Sequence, residues 1–417
     1  MKPSHSHKTA DRIPITALFA ANAISMIGNM VAMIAIPWFV LKTTGSPSRM
    51  GITGFFNIFP VVLAGLLGGA LVDRIGYKGT SIIADIASGT AVVLIPILYA
   101  TIGLPFWVLM VLVFLGALLD APGGTARAAL VPDLADLAGM PIERATSINQ
   151  VIERGSRLVG APLGGLLIAM MGTTNALWLD ALSFLISALL VTFFIQVQRT
   201  RVQPKKQENY WGEIAAGLKF LVNDKLLRII VVVVMITNFL DSAFSGVILP
   251  IYVNQIFGNA LSLGLIIAMN GGGAVLGALI FGWIGHRLPR HFIFVSMFML
   301  TGLRFFIYVL YPPLWVILVS TFVISVGAGP LNPIIDSISY ERIPADMRGR
   351  VFGVITAGAW AAMPFSVLVA GFLTERIGLM AMLIGIGIAY FATTISMAVM
   401  PDMRAMNNRK KTSVDAG

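Results

Sequence analysis

The chain has 417 residues, of which 57% are hydrophobic and only 12% are charged, and it contains no cysteine. A water-soluble domain of this size could not bury that much apolar surface, so the composition excludes an ordinary soluble enzyme, and the lack of cysteine excludes disulfides and thiol chemistry. The formal net charge is +10, and its cause lies in how the basic residues are distributed between the apolar runs.

Apolar runs of about 20 or more residues follow one another along the chain. A helix of about 20 residues crosses a hydrocarbon core about 30 Å thick, because each residue adds about 1.5 Å. The sequence therefore predicts an all-α, multi-pass membrane protein with twelve transmembrane helices. The predicted spans are 15–41, 49–72, 80–101, 104–127, 144–171, 174–196, 227–256, 260–285, 291–311, 313–338, 351–374 and 378–400.

The basic residues predict the orientation of these spans. Of the 29 lysines and arginines, we place three in loops outside the membrane, three within spans and all the others on the cytoplasmic side. The outside residues are Lys42, Arg49 and Arg376, and those within spans are Arg154, Arg157 and Arg304. This bias predicts cytoplasmic termini in the inner (plasma) membrane. Because the positive charge is then topogenic, we expect no nucleic-acid partner.

The longest polar stretch divides the chain near its middle and predicts four segments. Residues 1–196 and 227–403 are each expected to form a six-helix bundle. Between them, 197–226 is expected to be a cytoplasmic linker with an amphipathic helix, since apolar residues recur there at helical spacing. Residues 404–417 form a basic cytoplasmic tail that would meet anionic lipid headgroups.

Weak internal similarity relates the two predicted bundles. At one constant separation Pro37 aligns with Pro250, and at a slightly shorter one Gly172 aligns with Gly378. Such matches keep the same order in both halves. The pattern predicts two pseudo-symmetric bundles around a central site, the arrangement in which alternating access occurs by rocking.

A charged stretch, "GGALVDRIGYKG" at 68–79, interrupts the apolar sequence after the second span. It resembles the loop signature G-x-L-x-D-R-x-G-x-[RK] of the major facilitator superfamily. The stretch "FGWIGHRLPRH" at 281–291 is similar to an incomplete second copy, which keeps Gly282 and Arg287 but has His286 at the aspartate position. The resemblance implies the major facilitator fold. The glycines allow close helix approach, and the charges can cap helix ends or pair between the halves. The residues of this cytoplasmic latch are Gly69, Asp73, Arg74, Gly76 and Lys78.

Other stretches resemble the drug/proton antiporter branch of the superfamily, which includes macrolide efflux proteins and the enterobactin exporter. They are "VDRIGYKGTSIIAD", "ALVPDL" and "RGRVFGVITAGAWAAMPFSVLVAGFLTERIG". In addition, "GAPLGG" at 160–165 is similar to a fifth-span glycine motif that helps to seal this helix of exporters against its partner in the other half. Ala161 takes the usual proline position. The motif residues are Gly160, Pro162, Gly164 and Gly165.

Ionisable residues inside spans are costly and are therefore candidates for function. Asp241 lies near the middle of the seventh span, and the resemblance implies that the first, fourth, seventh and tenth helices line a cavity. We predict that Asp241 exchanges protons or recognises a cationic substrate. The alternative is that Asn238 or Ser242 hydrogen-bonds its carboxylate and that the residue only packs.

A second charged group lies nearer the cytoplasm. Asp120 on the fourth span and Glu153 on the fifth lie at similar depths, and Glu153 and Arg157 are spaced for an ion pair on one helical face. We predict that Arg154 and Arg157 form a buried charge network with these carboxylates rather than a substrate site. Asp120 and Glu153 are second candidates for proton coupling. Arg304 has no partner in its own helix, and its role stays unassigned.

The remaining cavity lining is expected to be apolar and aromatic, which suits bulky amphipathic compounds. Candidate lining residues are Asn29, Trp38, Asn238, Phe239 and Trp360. No Walker sequence of the form G-x-x-x-x-G-K-[ST] is present, so the energy for transport must come from a gradient or a partner. We expect no cofactor, no metal and no enzymatic activity.

These patterns favour a monomeric secondary transporter that exports lipophilic or amphipathic small molecules, including drugs such as macrolides, in exchange for protons. Two alternatives within transport stay open: a dedicated exporter of one metabolite, such as a siderophore, and a symporter. A membrane sensor without transport activity is less favoured, because the sequence shows no appended soluble domain. The expected partners are the small-molecule substrate, protons and the lipid bilayer.

Overall fold

The computed structural model describes residues 11–196 and 210–407, without the side chains of 65–74, 210, 211, 213 and 286. This described part is helical and contains no β-strand. Five helices precede the gap: α1 (Ile13–Thr44), α2 (Pro47–Ile75), α3 (Tyr77–Thr101), α4 (Phe106–Leu137) and α5 (Ile142–Phe194). The helices that follow it are α6 (Tyr210–Asn223), α7 (Lys225–Ala243), α8 (Leu249–Ile256), α9 (Ala260–Ile284), α10 (Arg290–Val309), α11 (Leu314–Ala328), α12 (Leu331–Arg342), α13 (Arg348–Ala361), α14 (Met363–Ile377) and α15 (Leu379–Val399).

The helices coincide with the predicted spans. Among the described residues, ten helices, counting those that continue one another as one, are long and apolar enough to cross a membrane. The segment α5 contains two of the predicted spans. They are separated at Gly172, where the backbone leaves helical geometry. The helix α2 covers the second predicted span. The all-α membrane fold expected from the sequence is therefore confirmed.

Matching glycines mark corresponding turns in the two halves. Gly172, between the two spans of α5, has φ 84° and ψ 165°, and Gly378, between α14 and α15, has φ 86° and ψ 161°. Gly45 after α1 and Gly258 after α8 are a second pair, with φ of 64° and 70°. Glycine adopts such angles without the steric cost of a Cβ atom. The common backbone geometry agrees with the internal repeat.

The helix α4 is longer than predicted, and this corrects the position of one charge. The fourth span was predicted to end at residue 127, which would put Arg127 at the cytoplasmic surface with the other basic residues. The helix instead runs to Leu137, and the Arg127 side chain is only 3% exposed. The physical reason is the run after Arg127, "AALVPDLADL", whose apolar side chains pack in the protein interior. The number of lysines and arginines predicted for the cytoplasmic side therefore falls by one, and the predicted bias remains.

A cluster of fully buried aliphatic residues packs the part of α4 after Arg127 against α1 and α5. Leu130 and Leu134 of α4 pack with Ile15 and Leu18 of α1 and with Val191 of α5. Each of these side chains is at most 1% exposed. Between helices in a membrane, close packing of such side chains is a main source of association. This core therefore holds α1, α4 and α5 in fixed positions around the polar groups described below.

The helices form two compact units. The N-terminal unit comprises Met1–Ile36 and Phe56–Pro204, and the C-terminal unit comprises Pro37–Phe55 and Lys205–Gly417. The end of α1 and the start of α2, residues 37–55, are called the α1–α2 hairpin here. This hairpin packs with the C-terminal unit although the chain around it belongs to the N-terminal one.

Glycines and hydrogen bonds attach the α1–α2 hairpin to α14. A Cβ atom built on Gly51 would lie 2.9 Å from the Cα atom of Gly371, so only glycine permits this approach. Glu375 lies one helical turn after Gly371 on α14. Its carboxylate accepts hydrogen bonds from Ser46 Oγ and from the Ser48 backbone N–H, both 2.8 Å long. The contact thus combines close backbone packing with a charged acceptor.

The helix α6 packs on the C-terminal unit rather than standing alone. A Cβ atom on Gly217 would lie 2.9 Å from the carbonyl oxygen of Arg350 in α13. After α6 ends, Asp224 accepts a hydrogen bond from the Leu227 backbone N–H at 3.0 Å and so caps α7. Its second carboxylate oxygen receives a bond from Arg342 Nε at 2.8 Å. The amphipathic helix of the linker therefore has a protein surface to cover.

Candidate functional site

A π-helical turn lies in the seventh span next to the predicted site residue. The segment Phe244–Ile248 is π-helical and joins α7 to α8. Pro250 has no N–H group for an α-helical bond, and the Leu249 N–H bonds to the Phe244 carbonyl, five residues back. Such turns are frequent at functional sites. This one begins three residues after Asp241.

Asp241 forms an ion pair with Arg304 of α10. The aspartate side chain is 36% exposed, whereas the arginine side chain is 16% exposed. The carboxylate is therefore the more accessible member of the pair. Arg304, for which the sequence offered no partner, is the counter-charge of Asp241.

The polar neighbours of Asp241 on its own helix bond elsewhere. Asn238 Nδ2 donates to the Ala359 carbonyl at 3.2 Å, and Ser242 Oγ donates to the Met363 carbonyl at 3.4 Å. Both bonds tie α7 to the span formed by α13 and α14. The alternative in which Asn238 or Ser242 holds the carboxylate is therefore not what the structure shows.

Aromatic rings surround the Arg304 guanidinium. Its Cζ atom lies 5.1 Å from the ring centroid of Phe244 and 4.7 Å from that of Phe305. The Phe244 ring in turn meets Phe305 and Tyr308 edge-on, each at 5.2 Å between centroids. Cation–π contacts of this kind are worth about 0.5–2 kcal/mol. They hold the arginine in place beside the more exposed carboxylate.

A second charged cluster lies in the N-terminal unit, where a glycine brings two helices together. A Cβ atom on Gly123 of α4 would be 2.7 Å from Ala84 Cβ of α3. Arg127 stands one turn after Gly123, and Asp85 directly follows Ala84. Arg127 Nη1 donates to Asp85 Oδ1 at 2.6 Å, and Ser187 Oγ donates to Asp85 Oδ2 at 2.6 Å. Arg127 and Asp85 thus form a fully buried, well-bonded pair.

The remaining donors of Arg127 reach α1 and Asp120. Its Nε donates to Asn22 Oδ1 at 3.3 Å, and its Nη2 donates to Ser25 Oγ at 3.4 Å. Asp120 Oδ1 is 3.9 Å from Nη2, while Asp120 Oδ2 accepts a 2.9 Å bond from Asn29 Nδ2. Arg127 therefore binds Asp85 closely and Asp120 at a distance.

Glu153, Arg154 and Arg157 of α5 do not join this cluster, which corrects the predicted buried network. Arg157 Nη2 and Glu153 Oε1 are 3.1 Å apart, as their spacing predicted, but their side chains are 62% and 34% exposed. Arg154 is exposed as well. The face of α5 that packs inward carries small residues such as Ser156 and Gly160 instead. The partners seen for Asp120 are Asn29 and Arg127.

The cytoplasmic latch is only partly within the described residues. The side chains of Asp73 and Arg74, like the surroundings of Gly69, lie outside them. Gly76 connects α2 to α3 with φ 82°, a conformation that favours glycine. The Lys78 ammonium donates to the Thr192 carbonyl at 3.0 Å and so contacts the end of α5.

The fifth-span glycines pack against α1 of the same half. A Cβ atom on Gly160 would be 2.6 Å from Met30 Cβ, and one on Gly164 would be 3.0 Å from Val31 Cα. Gly160 and Gly164 are four residues apart, so they form one small-residue stripe along the helix. Gly165 is buried beside them, and Pro162 is half-buried. The seal expected against the other half is thus, for these two glycines, a contact within the N-terminal unit.

The five predicted lining residues occupy different surroundings. Trp38 is buried at 3% exposure, with the Lys42 ammonium 5.6 Å from its ring centroid, so it packs rather than faces open space. Asn29 and Asn238 are engaged in the hydrogen bonds given above. Phe239 is half-buried, and Trp360 is exposed. Phe239 and Trp360 therefore have accessible ring surface, and a role of these residues in lining a cavity stays a prediction.

Two arginines are the functional candidates that the sequence interpretation missed. Arg304 was seen but left without a role, because its partner is 63 positions away on another helix. Arg127 was assigned to the cytoplasmic side. One signal was available: Asp120 and Arg127 are seven residues apart, which places them on the same face of a helix. Among the described residues, no group of three or more histidine, aspartate or glutamate side chains is placed to hold a metal ion.

The fold, with ion pairs inside its apolar spans, is that of a helical membrane transporter of the major facilitator type. The structure of the nucleoside transporter NupG superposes with a TM-score of 0.76 at 11% identity, covering 95% of this chain and 99% of that chain. The D-xylose–proton symporter gives a TM-score of 0.68 at 15% identity, covering 94% and 99% of the two chains. At such identities the likeness concerns the fold alone.

The chain belongs to the transmembrane secretion effector family, which matches residues 12–416. The multidrug efflux pump Tap of Mycobacterium tuberculosis is 28% identical over 412 residues, with 98% of each chain covered. Macrolide efflux protein A of Streptococcus pyogenes is 22% identical over 373 residues, covering 88% of this chain and 91% of that protein. Both relatives match nearly their whole length, as a protein of the same architecture would.

Proposed function

We propose that the protein exports lipophilic or amphipathic small molecules from the cytoplasm in exchange for protons, by alternating access. The observation that carries the proposal is the Asp241–Arg304 pair in a π-interrupted span. A partly exposed carboxylate with a fixed counter-charge can be neutralised in three ways: by the arginine, by a proton or by a cationic substrate. Competition among these three is the chemical basis of antiport.

The proposed cycle follows from this competition. Uptake of a proton by Asp241 from the outside removes its negative charge and favours release of the substrate. Loss of the proton toward the cytoplasm restores the carboxylate, and a cationic or dipolar substrate can then compete with Arg304 for it. The buried rings of Phe244 and Phe305 hold Arg304 in place. Phe239, which is half-buried two residues before Asp241, offers apolar contact to bulky compounds.

The relatives support the choice of substrate class. Two of them are named for the efflux of multiple drugs and of macrolides. Together with membership of a secretion family, these names favour export over uptake. A dedicated metabolite exporter is the competing function, and it differs in the range of compounds that leave the cell.

We also propose the topology that this activity requires. Residues 1–196 and 227–403 are the two bundles, 197–226 links them, and 404–417 is a cytoplasmic tail. Both termini face the cytoplasm, the protein sits in the inner membrane, and one chain is the transporting unit. The cytoplasmic latch closes the inner side, with Asp73 and Arg74 as its charges.

The test is drug accumulation in cells that express the protein. Ethidium and a macrolide are supplied with and without a protonophore, and the wild type is compared with Asp241→Asn. We expect the wild type to lower accumulation of these compounds, and both the protonophore and the substitution to abolish the difference. Asp336→Asn, which removes an exposed carboxylate from α12, is the matched control and should export normally.

The outcomes separate the alternatives. Accumulation equal to that of empty cells for every compound would overturn broad drug export and favour a dedicated metabolite. Export that persists with the protonophore would overturn proton coupling while leaving export intact. Normal export by Asp241→Asn would remove Asp241 from the mechanism.

A further inference from the structure

Asp180, in the second span of α5, is a buried acid without a bonding partner. Its side chain is 1% exposed, and neither carboxylate oxygen has a hydrogen-bond partner among the described residues. The nearby Ser183 hydroxyl donates instead to the backbone carbonyl of Asp180 at 2.7 Å. An ionised carboxylate in such a place would lose its hydration without compensation, at a cost of several kcal/mol.

The carboxylate is pressed against the backbone of α1. A Cβ atom on Gly28 would lie 2.6 Å from Asp180 Oδ1 and 2.0 Å from Ser183 Oγ. Only a glycine leaves room for the acid at this point. The next residue, Asn29, donates to Asp120, so the two acids adjoin the same turn of α1.

Among the described residues, the charged groups around Asp180 do not include a cation that neutralises it. From α1, residues 13–36 contribute no titratable side chain. From α4, Asp120 acts on Asp180 with a like charge. From α3, Asp85 is bonded to Arg127 at 2.6 Å, and Asp85 is the carboxylate closest to that guanidinium. The N-terminal unit therefore holds three carboxylates near one guanidinium. The buried, unpaired Asp180 must be neutral by protonation, whereas the partly exposed Asp120 can stay ionised.

We propose that Asp180 is a second proton-binding site of the transporter, and that Asp120 is the group through which its proton leaves. Asp180 is closed to solvent in this structure, whereas Asp120 is partly exposed and has one oxygen without a hydrogen bond. The proton passes from the Asp180 carboxyl to the Asp120 carboxylate and then to water. Movement of Arg127 from Asp85 toward Asp120 would expel it.

This inference rests on the proposed antiport and extends it, since it gives the protein two proton sites in different units. Asp241 has its own arginine and serves the C-terminal unit. Asp180 and Asp120 share the arginine of the N-terminal unit with Asp85. Two protons would then move for each substrate molecule.

The protonation of Asp180 is tested by infrared spectroscopy of the purified full-length protein at neutral pH. A buried, unbonded carboxylic acid gives a C=O stretching band that shifts in D2O. We expect this band in the wild type, in Asp241→Asn and in the control Asp336→Asn, and its loss in Asp180→Asn. Asp180→Leu gives a second variant that cannot bond at all. Persistence of the band in both Asp180 variants would overturn the proposal.

The coupling is tested in proteoliposomes by the largest ethidium gradient that an imposed pH gradient maintains. Each coupled proton multiplies this gradient by about tenfold per pH unit. Asp180→Asn should therefore maintain a gradient about tenfold smaller than the wild type per pH unit. An unchanged gradient would overturn the second site as a coupling group. A wild type that maintains no gradient would refute proton antiport itself, while the infrared result would still decide whether Asp180 binds a proton.

Discussion

In the Asp241–Arg304 pair, the aspartate carboxylate can bind a proton, whereas the arginine guanidinium cannot release its proton. Arginine stays protonated at any physiological pH, so the state of the pair depends on Asp241 alone. The greater exposure of the carboxylate, 36% against 16%, makes it the group that solvent or substrate reaches first. A proton or a substrate can therefore break the ion pair by approaching Asp241.

Removing one member of this pair should destabilise the protein more than removing both. Asp241→Asn leaves the Arg304 guanidinium without its acceptor, and we expect a loss of about 1–3 kcal/mol. The double variant Asp241→Asn with Arg304→Gln leaves no unpaired charge and should recover most of this loss. Thermal unfolding midpoints in detergent measure both effects. A double variant less stable than either single one would contradict the pairing.

The Arg127–Asp85 pair should contribute more to stability than the pair on the surface of α5. Arg127→Gln leaves Asp85 buried with Ser187 as its remaining donor, and we expect a loss of about 3–5 kcal/mol. Arg157→Gln is the matched control, because it breaks an exposed pair with Glu153 worth about 0.3–0.5 kcal/mol. Denaturation of both variants in detergent gives the comparison. Equal effects would mean that Arg127 is not buried as described.

At this scale the sequence identified acids better than their partners. Asp241 was predicted as central because a carboxylate in mid-span is rare in itself. Its pairing with Arg304 depends on how α7 and α10 are rotated toward each other, and periodicity within one helix does not determine that angle. The sequence does not mark Asp180 as buried, since its burial against Gly28 is a property of the packed helices only.

At the scale of elements, glycines determine which helices approach closely. Gly160 and Gly164 of α5 allow contact with Met30 and Val31 of α1, and Gly123 allows α4 to meet α3. Without a hydrophobic force between helices in lipid, close packing is a main source of their association. The charged clusters therefore lie where small residues let the helices meet.

Adding one methyl group at Gly160 should destabilise the N-terminal unit. The new Cβ atom of Gly160→Ala would lie 2.6 Å from Met30 Cβ, so α5 must move away from α1, at a cost of about 1–3 kcal/mol. Gly155→Ala on the same helix meets nothing within 4 Å and is the control. We expect a lower unfolding midpoint for the first variant and an unchanged or higher one for the second. The reverse order would contradict the packing.

The α1–α2 hairpin should separate from α14 when its charged acceptor is removed. The chain has no cysteine, so Met50→Cys, at a position only 1% exposed, reports opening by its rate of maleimide labelling. Glu375→Gln weakens the bonds from Ser46 and Ser48 and should raise this rate several-fold. Arg49→Cys, at an exposed position, is the control and should label rapidly in both backgrounds. An unchanged rate at Met50→Cys would show that Glu375 does not hold the hairpin.

The elements themselves were largely predictable. Apolar run length gave the spans to within a few residues, and the glycine at 172 correctly separated two of them. The exceptions have physical reasons: α4 continues past Arg127 because a buried partner compensates the charge, and the π-turn after Asp241 follows from Pro250 in a way that hydropathy does not register. Interruption of a span is thus visible in sequence only where proline or glycine marks it.

At the scale of the molecule, each unit contains an arginine–aspartate pair within its helical spans, but the number of acids near the two arginines differs. The C-terminal pair, Asp241 and Arg304, is neutral by itself. The N-terminal cluster has Asp85, Asp120 and Asp180 for Arg127 alone. Helices of similar geometry in the two halves thus carry different charged groups, which is why similarity between the halves could indicate the fold and could not predict the sites.

The central claim, that Asp241 couples substrate export to protons, is tested most directly by comparing two reactions of one variant in proteoliposomes. Ethidium transport driven by an imposed pH gradient requires proton exchange, whereas exchange of internal for external ethidium does not. We expect Asp241→Asn to lose the first reaction and to keep the second, while Asp336→Asn keeps both. Transport of Asp241→Asn driven by the pH gradient at the wild-type rate would contradict the account.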